Sequence, residues 1–189
     1  MANVLRDKSR DDLADSISSL GVQASLAQRG RNEEKFQKFW IFKRSLGVID
    51  IADGPIRWIN YLKRDRSNNN PQPRWWVVFG IPDERPISGT RKIKMKTIRK
   101  KTFPLFGKVT DVTWRGNDQG TGLLSVLSDD EDVDRLSAEF GDLHIQSYSE
   151  KSFAGWTVTV GKRIRKLTIE QWNRFIKISD HLLASSRSL

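Results

Sequence analysis

Leu13, Ile17, Leu20 and Ala24 recur at intervals of four, three and four, which places them on one face of a helix. Ser9 can cap that helix, and Asp11 and Asp12 stand in its first turn, where carboxylates suit the positive end. Gly30 is a plausible stop. The apolar face is thin, interrupted by Gly21 and several serines, and predicts a marginal amphipathic helix in an N-terminal arm over residues 1–32. Phe36, Phe39, Trp40 and Lys43 follow at helical spacing up to Gly47, although the same stretch also reads as the start of a strand. Val48–Ile51 predicts a short strand. Asp53-Gly54-Pro55 then turns the chain into a helix lined by Ile56, Ile59 and Leu62, because Pro suits a first helical turn. The polar run from Lys63 to Pro73 predicts an exposed loop.

From Arg74 the period changes. RWWVVFGIP is a short apolar run of strand formers stopped by Gly80 and Pro82. Ile93, Met95 and Thr97 alternate with Lys92, Lys94 and Lys96, so period two sorts the lysines onto one face of a half-buried strand. KVTDVTWRG and TGLLSVLS predict two further strands joined through RGNDQGTG. Ser128 and Glu131 have capping-box spacing before a helix marked by Val133, Leu136 and Phe140 and closed by Gly141. LHIQSYS and FAGWTVTVG predict another strand pair. Thr168 and Gln171 form a second capping box before a helix carrying Ile169, Trp172, Phe175, Ile176, Ser179 and Leu183. These elements predict an α+β fold: a mostly antiparallel sheet of about five to seven strands with helices packed on one face, plus an N-terminal helical arm. The expected organisation is a single α+β domain over residues 33–184, with 185–189 frayed.

Composition supports a folded core. The chain has 189 residues, of which 37% are hydrophobic, and seven Trp and nine Phe set it apart from a disordered basic tail. Its net charge of +10 and pI of about 10.0 predict attraction to polyanions: nucleic acid, an anionic membrane surface or an acidic protein. With no cysteine, disulfides, Cys-containing zinc sites and thiol catalysis are excluded. Polar residues follow Met1, and no apolar run approaches the ~18 residues that span a bilayer. A cytoplasmic or nuclear location is the expectation.

Enzyme signatures are missing. His144 and His181 are isolated and lack metal spacing. GNDQGTG lacks the Gly-Lys-Ser/Thr ending of a phosphate-binding loop. Asp129 to Asp134 carries carboxylates at a helix start, where dipole stabilisation accounts for them. Pro82-Asp83 followed by Ile-Lys-Met-Lys lacks the acid that a two-carboxylate magnesium site needs. The expectation is a non-enzymatic protein with no cofactor and no metal.

Basic residues form the distinctive pattern. Seven of the eleven residues from Arg91 to Lys101 are cationic: Arg91, Lys92, Lys94, Lys96, Arg99, Lys100 and Lys101. Two further patches are Lys63, Arg64 and Arg66, and Lys162, Arg163, Arg165 and Lys166. Trp58 and Tyr61 lie near the first, and Phe103 and Phe106 follow the second. Neighbours on a strand point oppositely, so Trp75, beside Arg74, is the expected exposed indole, with Trp76, Trp156 and Trp172 buried. Charge runs are often only a solvated face, but cations this dense repel one another, which favours a compensating polyanion. These residues predict sequence-independent nucleic-acid binding, RNA in particular, since no base-reading module is present.

A small, basic, Trp-rich, cysteine-free α+β chain with an N-terminal arm resembles viral matrix proteins in general character. That resemblance implies a structural protein assembling on an anionic membrane and nucleocapsid, although no Pro-Pro-x-Tyr budding motif occurs. The ending AGWTVTVGKRIRKLTIEQWNRFIKISDHLL is similar in outline to the ends of small viral RNA-silencing suppressors. Self-association through the N-terminal helix is a further expectation.

Overall fold

Strands with alternating burial pair into one sheet, and the amphipathic helices cover one of its faces. The structure, a computed structural model, describes residues 7–35, 43–67, 71–85, 92–102 and 109–185. The strands are β1 (Ala24–Leu26), β2 (Lys43–Ile51), β3 (Trp58–Arg64), β4 (Arg74–Pro82), β5 (Lys94–Lys101), β6 (Val109–Asn117), β7 (Leu143–Glu150) and β8 (Phe153–Val160). The helices are α1 (Ser9–Ser19), α2 (Leu123–Ser128), α3 (Glu131–Phe140) and α4 (Ile169–Ser185), with one 3-10 turn at Asn32–Lys35. The sheet order is β1-β2-β3-β4-β8-β7-β5-β6, and every neighbouring pair is antiparallel. The α+β class is as the sequence predicts, with eight strands rather than five to seven.

Several local expectations are corrected. The first helix ends at Ser19, so Gly30 does not stop it; Ala24 lies in β1, and Lys8 rather than Ser9 is the N-cap. Ile56, Ile59 and Leu62 do not line a helix, because Trp58–Arg64 is β3, paired on both sides. TGLLSVLS is not a strand, and Leu123–Ser128 forms α2. The cap of α3 is Asp130, whose Oδ1 accepts from the Asp132 amide at 2.9 Å, while the Ser128 hydroxyl donates to Leu124 within α2. Gly47 ends nothing: it forms a bulge inside β2 at φ +120, with the Arg10 guanidinium against it in the space a side chain would fill. The helical reading of Phe36 to Trp40 lies outside the described residues. The second capping box is present, with Gln171 Oε1 accepting from the Thr168 amide at 3.0 Å and Thr168 Oγ1 from the Gln171 amide at 3.2 Å.

The main core lies between the sheet and the helices. Phe175 of α4 stacks on Phe79 of β4 with ring centroids 4.1 Å apart, and Phe140 of α3 closes on the same ring. Leu13 and Ile17 of α1 are fully buried against the sheet. The apolar face that the sequence offers to a partner is therefore occupied within the chain. Asp7, just before α1, fixes this docking. Its carboxylate accepts from the Ser9 amide and hydroxyl and from the Trp75 indole, and pairs with Lys63 at 3.0 Å and Arg163 at 3.1 Å. Ser16 in α1 accepts from the Leu167 amide at 3.0 Å. Tyr61, fully buried, bonds both the amide and the carbonyl of Ile164, and burial pushes its hydroxyl up to about 12. The segment before α4 is thus pinned from both sides.

The opposite face of the sheet carries a second, smaller apolar cluster: Val48, Trp58, Leu62, Val78, Tyr148 and Phe153. Trp58 lies across Gly80, edge-on to Phe153 at 5.2 Å. This cluster lies on β2, β3, β4 and β8 and reaches Tyr148 of β7, whereas β5 and β6 contribute nothing to it. Among the described residues, no helix is long and apolar enough to cross a membrane.

Candidate nucleic-acid interface

Alternation in β5 sets the geometry. Ile93, Met95 and Thr97 are buried beneath α3, while Lys92, Lys94 and Lys96 are exposed on the other side. Ser137 of α3 donates to Thr97 Oγ1 at 2.9 Å, and that oxygen also accepts from the Leu143 amide, so the inward side of β5 is held by hydrogen bonds as well as packing. Register then brings in residues remote in sequence. Lys96 pairs with Arg115 on β6 and His144 on β7, and Lys94 pairs with Asn117 and Gln146. Strands ~4.8 Å apart, with same-face residues ~7 Å apart along each, make this a compact array.

Ion pairing separates the cations. Among the described residues, Lys94, Lys96 and Arg115 have no acidic partner. Lys92 is paired with Glu150 at 2.7 Å, its amine also lying 5.3 Å from the Tyr148 ring centroid. Lys100 is paired with Asp111 at 3.0 Å, and Arg99 points to the helical side and meets Asp142 at 2.8 Å. Lys101 is exposed past a bulge, and Arg91, Phe103 and Phe106 lie outside the described residues.

A second cationic row runs across the same face at the other end of the sheet. Lys43, Arg64 and Arg74 are successive register partners on β2, β3 and β4. Like charges directly opposite repel. Lys43 answers by placing its amine 3.8 Å from the Trp76 ring centroid, and desolvation with the nearby Arg64 charge lowers its pKa. His144 links the two rows. Desolvation, followed by the charges of Lys96 and Lys43, holds its imidazole below the ordinary value against the opposing pull of Asp142.

The sequence singles out Arg91 through Lys101 but not Lys43, Arg115 or His144, each of which reaches this face only through pairing between distant segments. Two of its expectations change. Trp75 faces the helical side, where its indole donates to Asp7 at 3.2 Å, and Trp76 is the half-buried indole on the cationic face. Most cations of the patches at Lys63 and at Lys162 to Lys166 are engaged within the chain. Lys63 and Arg163 share Asp7, Arg165 meets Asp12 at 3.5 Å, and Lys162 donates to the Glu139 carbonyl beside Phe140. Trp58 and Tyr61 are buried. Arg66 and Lys166 are exposed without an acidic partner among the described residues.

Among the described residues, no group of three or more His, Asp or Glu side chains is placed to hold a metal ion. Asp130 caps α3 and pairs with His181 at 2.7 Å and Lys177 at 2.9 Å. Burial raises its pKa, but these bonds outweigh burial and bring it down to about 2. No family model, curated protein or solved structure matches this chain.

Proposed function

We propose that this protein is a non-enzymatic, sequence-independent RNA-binding protein that receives the phosphate backbone on the β5-β6-β7 half of its sheet. The observation that carries the reading is the placement of Lys94 and Lys96. Both are exposed on a strand whose other face is locked into the core, and among the described residues no carboxylate neutralises them. A rigid row of cations meets successive phosphates without first ordering a tail, and each contact releases condensed counterions. Arg115, His144 and Lys43 continue the surface, with the Lys43 amine held over the half-buried Trp76 ring.

The test is fluorescence anisotropy with a labelled RNA across a salt series, with anionic liposomes in parallel. Submicromolar RNA binding that persists at physiological salt, and that Lys94→Glu with Lys96→Glu abolishes while the melting temperature stays within about 3 °C, supports the reading. RNA binding that vanishes at physiological salt while liposome binding persists replaces it with a matrix-type protein on anionic membrane.

A further inference from the structure

The two edges of the sheet are unlike. β1 has three residues, and the Ser18 hydroxyl of α1 donates to its Ala24 carbonyl. β6 has nine residues and pairs on one side only, with β5. Among the described residues, no backbone hydrogen bond reaches its outer side. A long, open edge of this kind is a template for another strand.

The residues of β6 specify which strand fits. Thr113 is its central residue, flanked by Asp111 and Arg115 on the cationic face and by Val112 and Trp114 on the helical face. We propose that two copies of this chain pair β6 to β6, antiparallel, with the two-fold axis at Thr113. Arg115 of each copy then faces Asp111 of the other, and Val112 faces Trp114. Opposite charges and apolar pairs directly across a ladder are both favourable. Competing registers are worse. Centring on Asp111 sets Asp against Asp, and centring on Arg115 sets Arg against Arg. Centring on Val112 or Trp114 leaves Arg115 and Asp111 without each other. A one-residue slip that changes faces is forbidden by period two. Such an interface is isologous and closes on itself.

The second copy leaves Asp111 between Lys100 of its own chain, at 3.0 Å, and the incoming Arg115. Arg115 then shares Asp111 with Lys100, which leaves the face net cationic, and Lys94 and Lys96 of both copies lie on one continuous sheet. Self-pairing does not depend on RNA binding, so it is tested without nucleic acid.

Because the chain contains no cysteine, a single introduced thiol reports the axis. Thr113→Cys places two thiols at the two-fold, where antiparallel partners have Cα atoms ~4.5–5.5 Å apart, within disulfide reach. Asn117→Cys places them about 27 Å apart, from eight residues of separation at ~3.4 Å each. Under mild oxidation Thr113→Cys should form a covalent dimer at least tenfold faster than Asn117→Cys. Sedimentation equilibrium should give twice the 21.8 kDa chain mass. Asp111→Arg or Arg115→Asp alone should weaken the dimer about tenfold, and the two together should restore it. A monomer at all concentrations, equal crosslinking of the two thiols, or a double swap no better than either single change would overturn the proposal.

Discussion

Lys96 and His144 are register partners on β5 and β7, side by side on the cationic face of the sheet. Desolvation and the charges of Lys96 and Lys43 depress the imidazole below its ordinary 6.5, so His144 is neutral at pH 7. A polyanion laid across this row favours the protonated form. RNA affinity should therefore rise as pH falls from 7.5 to 5.5, and His144→Gln should flatten the profile. Anisotropy titrations at the two pH values check this. For folding the sign is opposite: the unfolded chain binds the proton more readily, so this contribution is present above pH 6.5 and is lost as pH falls through the folded value.

Asp7 gives a second pH dependence. Burial raises its pKa, but hydrogen bonds from Ser9, Lys63 and Trp75 outweigh burial and hold the carboxyl well below its ordinary 3.8. Its stabilisation is complete above that value and is lost as pH falls through the folded one. Asp7→Asn should cost about 2 kcal/mol at pH 7 and progressively less in acid, read from urea midpoints. The same change removes the acidic partner of Arg163 and leaves Lys63 with Asp65 alone, at 3.3 Å.

Gly80 leaves the space in which the Trp58 ring lies. Gly80→Ala must displace that indole from Phe153, at a cost of about 1–3 kcal/mol. Near-ultraviolet circular dichroism should lose part of its tryptophan signal, whereas the far-ultraviolet spectrum should not change.

Ile17 decides between an arm and a core helix. It is fully buried among sheet residues, so Ile17→Ala should cost about 2–4 kcal/mol in a single cooperative transition. A frayed arm would lose less than about 0.5 kcal/mol, as exposed positions do.

The strands with one wet face were legible because burial imposes period two, as in β5. β3 was misread because Trp58, Ile59, Asn60, Tyr61 and Leu62 are all buried. With apolar groups covering both faces there is no alternation to read, and the i, i+3 spacing of Ile56, Ile59 and Leu62 then imitates a helix. The indoles were exchanged for the same reason: neighbouring Trp75 and Trp76 do point oppositely, but which side holds the helices is a property of the whole sheet. Half of the candidate face was legible as a local run of lysines. Arg115, His144 and Lys43 had no local signal, and the neutralisation of Arg163 by Asp7, 156 residues away, had none either.

The contacts that hold α1 set an order of assembly. Asp7 waits for Arg163, and Ser16 for Leu167, 151 residues later. At ~5–20 residues per second of synthesis, these two partners follow the first helix by roughly eight to thirty seconds. β4 likewise lacks β8 until β5, β6 and β7 have been made. The sheet can close only late, so during synthesis the apolar sides of α1 and β4 are the segments a chaperone would meet.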